Sequence, residues 1–339
     1  MHFLRYLSIF PILLLGACGG GSDSVRDELA QIQGPNLAVI TELTAEETTG
    51  AVLDSIDGAF GASESALDFG GAVGARVDGD TRAAVATAIE LADRARDSVT
   101  FMTTGVSTGA VITETQDCSG GGMSAVTIDT GDLSEEAFAL ALQDGTIPAG
   151  TSISTAFENC QEGDSVLNGS VTLEIESLAL DGELGMDTFA LAFRAVFDDL
   201  TTGDGSIDGD ISLSITSAPG QTDVVASGDS LAVSVSGELL SLLDFDVSAI
   251  EDTSALLETF DFTLSISSFG RLTVETLEAW RTLAFAEEPI SGVLRIIGAG
   301  NGSITVTALD EVSVQLEVDE DGDGTVDATI ITTWDELDA

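Results

Sequence analysis

The sequence predicts a mainly β protein: an antiparallel meander forming an open or closed barrel, with N-terminal helices packed on its apolar face. Three observations carry that prediction. From about residue 99 onward, apolar residues alternate with Ser, Thr and acidic residues at period two, as in strands whose sheet is covered on one side only. Turn dipeptides recur through the same region, at Asn168-Gly169, Asp181-Gly182, Asp208-Gly209 and Asn301-Gly302, and such pairs suit tight hairpins. Before residue 99 the apolar period is that of a helix.

The opening stretch has a charged start with Arg5, then an apolar run from Tyr6 to Leu15 interrupted by Ser8 and Pro11. A bilayer span needs about 20 apolar residues, so this run is too short. Its three-part layout is that of a signal peptide over residues 1–17. The stretch ends Leu15-Gly16-Ala17-Cys18, which resembles the lipobox of bacterial lipoproteins, where small residues let the peptidase bind the chain extended and the thiol takes diacylglycerol. The resemblance implies that Cys18 becomes the acylated first residue, palmitate included, and so the contact with a membrane. Residues 18–24 then form a Gly/Ser tether. In Gram-negative lipoproteins an Asp after the cysteine retains the protein in the inner membrane. Gly19 stands there instead, which implies an outer-membrane anchor facing the periplasm or the cell surface.

Residues 25–110 read as a helical segment. Thr44-Ala45-Glu46-Glu47 has the spacing of a capping box, in which hydroxyl and carboxylate each satisfy a free amide. Val52, Leu53, Ile56 and Phe60 follow on one helical face. A second helix is predicted over Thr81 to Val99, with Arg94 and Arg96 in its last turns, where positive charge suits the helix dipole. Gly58 to Gly79 lies between them as a Gly-rich connection.

Residues 111–339 read as the β domain. Val171, Leu173 and Ile175 alternate with polar residues, as do Ile211, Leu213 and Ile215, then Leu231, Val233 and Val235. The pattern returns in Phe262, Leu264 and Ile266, in Ile304 and Val306, and in Val312, Val314, Leu316 and Val318. About ten such strands are expected, with short helices over Glu135–Leu142 and Val274–Phe285. A membrane-spanning barrel also alternates, but it carries aromatic girdles. Here the residues after the signal include no Tyr and only two Trp, Trp280 and Trp334.

Charge excludes several functions. The 339 residues hold 59 acidic and 10 basic side chains, a formal net charge of −49, and every basic residue is Arg. Such a surface repels nucleic acid and anionic lipid head groups. It suits a salty medium, where screening or divalent cations relieve self-repulsion, or serves simply for solubility. His2 and Tyr6 are the only His and Tyr, and both lie in the signal. Without imidazole, phenol or lysine amine, the mature chain cannot run Ser/His/Asp, Cys/His, Schiff-base or His-metal chemistry.

Two sets of residues stand out. Cys118 and Cys160 remain as a pair once Cys18 is acylated, and in an oxidising envelope such a pair reads as a disulfide. Asp319, Asp321, Asp323, Thr325 and Asp327, with Gly at 324, match positions 1, 3, 5, 7 and 9 of a calcium-binding loop of EF-hand type. Ile330 occupies position 12, where a bidentate Glu belongs, and the flanks read as strands. The motif is therefore closer to short DxDxDG loops in β-rich extracellular proteins, with Asp335 or Glu336 as sources of a missing oxygen. The alternative is a plain acidic hairpin turn. The related run from Asp204 to Asp210 reads as a turn.

The segments Cys118-Ser119-Gly120-Gly121-Gly122, Phe157-Glu158-Asn159-Cys160, Leu167-Asn168-Gly169-Ser170-Val171 and the closing Asp321-Gly322-Asp323-Gly324 with Thr333-Trp334-Asp335-Glu336-Leu337 resemble an uncharacterised group of proteobacterial β-rich envelope lipoproteins. That resemblance carries no activity. The expectation is a non-enzymatic binding or structural module, stabilised by Ca2+ and meeting an envelope protein partner. The alternative is a half-barrel carrier of lipid or another apolar ligand. A carboxylate-only glycosidase ranks behind both, because sugar sites offer aromatic stacking faces, and here two Trp and the Phe residues are all there is.

Overall fold

The computed structural model describes residues 37–53, 111–134, 137–138, 140, 146–162, 165–179, 188–202, 205–235, 238–267, 269–284, 286 and 288–337. The signal, Cys18, the tether, the predicted 81–99 helix, Ile56, Phe60 and Asp181-Gly182 lie outside these residues.

Among the described residues fifteen strands follow one another: β1 (Val111–Asp117), β2 (Met123–Asp129), β3 (Thr146–Ile147), β4 (Ser152–Glu162), β5 (Ser165–Ala179), β6 (Phe189–Thr202), β7 (Gly205–Ala218) and β8 (Gln221–Val235), then β9 (Glu238–Asp252), β10 (Ala255–Ile266), β11 (Gly270–Leu283), β12 (Ser291–Ile297), β13 (Ser303–Ala308), β14 (Ser313–Asp319) and β15 (Ala328–Thr333). They form one antiparallel meander from β1 to β15, with β3 set aside against β5. The predicted meander is thus present, in its open form: β1 and β15 are two separate edges.

One face of the sheet is the core. On β12 to β14 the alternation is strict, and Leu294, Ile296, Ile304, Val306, Val314, Leu316 and Val318 are fully buried. Val312, predicted with them, is exposed in the turn before β14. The predicted sets on β5, β7 and β10 also face inward, with Leu213 half-buried. The outer face carries hydroxyl ladders, such as Thr172 donating to Ser154 at 3.0 Å, and the ion pairs of Arg194 with Glu174 and Asp210.

Residues 45–53 are helical, here α1, and Ala45 and Val52 are fully buried in the core. The cap lies one turn earlier than the sequence suggests. Thr41 donates its N–H to Thr44 Oγ1 at 3.1 Å, and the two hydroxyls lie 3.1 Å apart. A side chain at Gly50 would overlap the carbonyl of Leu337, so α1 packs closely on the closing helix α2 (Trp334–Leu337). In the predicted 135–142 helix, the described residues 137, 138 and 140 are helical, and Ser134 Oγ accepts the N–H of Ala137 at 3.2 Å.

The helix predicted over Val274–Phe285 is instead strand β11. Apolar residues at 274, 277 and 280 mimic a helical period because β11 bulges between Thr276 and Arg281. Leu277, which a helix would have buried, is 52% exposed, while Val274 and Trp280 are in the core. Trp280 meets Phe260 and Trp334 edge-to-face, at centroid distances of 5.7 and 5.5 Å.

Two of the predicted hairpin turns are also corrected. Asn168-Gly169 lies inside β5 and Asp208-Gly209 inside β7, each opposite a β-bulge on the neighbouring strand. A bulge frees a backbone amide from the ladder, and an Asx side chain takes it. Asn159 donates its N–H to Asn168 Oδ1 at 2.8 Å, and Asp199 donates its own to Asp208 Oδ1 at 3.2 Å. The following glycine then makes room: at φ +93 and +118, a side chain at Gly169 or Gly209 would overlap the carbonyls of Asp199 or Ser230. The Asp204–Asp210 run is therefore largely strand. Asn301-Gly302 does lie in a turn, between β12 and β13.

Cys118 and Cys160 form a disulfide, with a Cα–Cα distance of 5.4 Å. It ties the β1–β2 turn to β4, where Gly120 N–H also bonds Gln161 O at 2.9 Å. Both cysteines are buried.

Two expectations follow. Gly169→Ala and Gly209→Ala each lower stability by about 2 kcal/mol or more, whereas Gly150→Ala, in open space, costs about 1 kcal/mol or less; urea midpoints distinguish them. Replacing both cysteines by Ser removes about 4 kcal/mol in chain-entropy terms, and wild type with reductant should unfold at the same urea concentration as the variant.

Candidate metal centre

The acidic loop from Asp319 to Asp327 joins β14 to β15, so its flanks are strands. Its first carboxylate holds it closed. Asp319 is buried, and its Oδ1 accepts the N–H groups of Gly322 at 2.8 Å and Asp323 at 3.2 Å, while Oδ2 accepts that of Gly324 at 2.9 Å. Three amides on one carboxylate force the chain into a tight curl. Gly322 and Gly324 supply it at φ +72 and +84, a region open to glycine at little cost. At the loop's end, Asp327 Oδ2 accepts the N–H of Glu320 at 2.9 Å.

That curl brings together Asp319, Asp321 and Asp327, whose carboxylate oxygens lie within 4.8 Å of one another. Calcium binds oxygen at about 2.3–2.6 Å, so oxygens spaced in this way could share one ion. Of the five predicted ligands, these three converge. Asp323 is not in that group, and its Oδ1 accepts the N–H of Thr325 at 2.7 Å. Position 12 is Ile330, half-buried against the core.

Glu336 does not reach the cluster either. It caps α2, its Oε2 accepting the Thr332 hydroxyl at 2.8 Å and the Thr333 N–H at 3.3 Å. Asp335 is exposed and stands outside the group of three.

The loop sits in a corner that the sequence did not reveal. A side chain at Gly302 would press on the carbonyl of Glu320 at 2.8 Å, and one at Gly322 on that of Gly300 at 2.6 Å. The chain before α1 closes the corner: Glu42 donates its N–H to Glu320 Oε1 at 2.7 Å, Ala38 donates to Arg271 O at 3.1 Å, and Ala299 donates to Ala38 O at 2.7 Å. The last three contacts join residues more than about 200 positions apart in the chain, with no local signal.

Other carboxylates cap turns. Asp310 accepts the N–H groups of Val312 and Ser313, which hold its carboxyl below the usual range. The Ser254 hydroxyl, then the amides of Ser254 and Ala255, do the same for Asp252, and the Thr332 hydroxyl and Thr333 amide for Glu336.

The chain matches no family model, no curated protein and no solved structure.

The depressed carboxyls set a direction in pH. A group with a lowered folded pKa stabilises the fold above its ordinary value, about 4 for Asp, and loses that contribution as pH falls through the lower folded value. Asp310→Asn keeps an acceptor oxygen and removes the titration. The variant should have a lower urea midpoint than wild type at pH 7, and the gap should close as pH falls below about 4.

Proposed function

We propose that this chain is an envelope lipoprotein, acylated at Cys18 and held at the outer membrane of a Gram-negative cell, whose sheet domain is a non-enzymatic binding or structural module stabilised by calcium. The observation that carries the reading is the convergence of the Asp319, Asp321 and Asp327 carboxylates at one corner of the domain. Three carboxylates this close repel one another, and a divalent cation offsets that repulsion while completing its shell with water and backbone oxygen. Asp319 fits the first ligand position because its amide bonds already fix its orientation.

The carrier reading ranks behind the module. A lipid-sized hollow would leave inward side chains accessible, yet Ile175, Phe197, Ile215 and Leu242 are each 2% exposed or less. Among the described residues no helix is long and apolar enough to cross a membrane; the anchor in this reading is the lipid on Cys18.

Titration of the full chain with calcium chloride should release or absorb heat and raise the melting temperature relative to EDTA. The double variant Asp321→Asn, Asp327→Asn should abolish both responses while folding normally in EDTA. No heat and no thermal shift in wild type would remove calcium from the proposal.

A further inference from the structure

We propose that the free edge of β15 accepts an extended, cationic peptide strand from another protein. The hydrogen-bond register leaves this edge open. Trp334 donates its N–H to Val312 O. With Val314, Leu316 and Val318 in register against Thr332, Ile330 and Ala328, the even-numbered residues of β15 therefore point their amides and carbonyls at β14. Thr329, Ile331 and Thr333 point theirs away. The bond from Thr333 N–H to Glu336 Oε2 agrees with that orientation. Among the described residues no strand pairs with Thr329 or Ile331 on this side, because β15 ends the strand order.

Proteins usually blunt such an edge with charge, proline or a bulge. β15 reads ATIITT, with none of these, and Ile331 is 68% exposed. The opposite edge, β1, carries Asp117. Adding a strand to β15 would satisfy four main-chain groups and cover Ile331.

Charge selects the occupant. A second copy paired symmetrically about Ile331 would set Asp327 directly against Asp335, and would join two chains of net charge −49. Like charges opposite one another destabilise a strand pair. For a cationic strand the same residues are favourable: exposed Asp327 and Asp335 bracket the edge, and Asp321 and Asp323 lie in the adjoining loop. Calcium on Asp321 and Asp327 would remove two of these charges, so the peptide is tested in EDTA and the inference does not rest on calcium binding.

The test uses the full chain and a fluorescent peptide, Arg-Thr-Val-Thr-Val-Thr-Arg, with a Glu-flanked analogue. The Arg peptide should bind saturably and slow hydrogen exchange at the Thr329 and Ile331 amides, and the Glu analogue should bind at least about tenfold more weakly. Ile331→Pro removes an amide outside the β14 ladder, a position where an edge tolerates proline. It should weaken binding about tenfold with little change in melting temperature. Should that variant misfold, Ile331→Lys, which keeps every backbone bond and adds a cation, should weaken binding similarly. The proposal fails if the Arg peptide does not bind, if a folded variant binds as well as wild type, if protection appears elsewhere, or if sedimentation shows that the edge is filled by a second copy.

Discussion

Keeping one face apolar along strands of up to fifteen residues is the constraint on which this structure rests. Strands usually run about 5–6 residues, and sheets twist as strands are added, so ladders this long and this many cannot stay straight. The bulges bend them, and each extra residue shifts which side chains face inward. On β4 the inward residues are Ile153, Thr155 and Phe157, then Cys160; on β6 they are Phe193, Ala195 and Phe197, then Leu200; on β9 Leu242 is followed by Phe245 and Val247. Without the shift Cys160, Leu200 and Phe245 would turn outward, because a slip of one residue exchanges the two faces. The sheet can curl around its core only because the bulges and the glycines facing them occur together.

That coupling explains what the sequence made legible. Strands with an unbroken period of two, such as Val171 to Ile175 on β5, Phe262 to Ile266 on β10 and Val314 to Val318 on β14, were readable directly. The bulged strands β4, β6 and β9 were not, since a fixed period fails at the bulge. β11 was misread because its longer irregularity spaces Val274, Leu277 and Trp280 like a helix. Asn168-Gly169 and Asp208-Gly209 looked like turns for a sound reason: positive φ and a nearby Asx acceptor are needed at both places. A bulge partner and a hairpin make the same local demand, and only the strand beside it distinguishes them. The metal candidates were legible as a linear motif, but Asp323 was not separable from the others, because which carboxylates converge is set by the curl of the loop.

The acidic composition also has a structural share. Asp208, Asp252, Asp261, Asp310 and Asp319 each accept backbone amides that a bulge or turn has released from the ladder. In many proteins Asn or Ser does this work. Asn168 does so here, but at these five positions carboxylates do, and a charged acceptor makes the stronger bond. The same choice accumulates negative charge, which the fold must tolerate or screen.

An open sheet is weakest at its two edges, where a strand has one neighbour and opens first. In this molecule each end is fastened by something other than apolar contact. Near β1, the Cys118–Cys160 bridge fixes the first hairpin to β4. Beside β15, the chain before α1 reaches across to Arg271, Ala299 and Glu320, and the carboxylate loop closes the corner. A covalent bridge of this kind persists in an oxidising compartment, and in the proposed reading a divalent cation would relieve the repulsion among the three clustered carboxylates. Under that proposal both fastenings would suit one setting, the envelope in which acylation at Cys18 would place the domain.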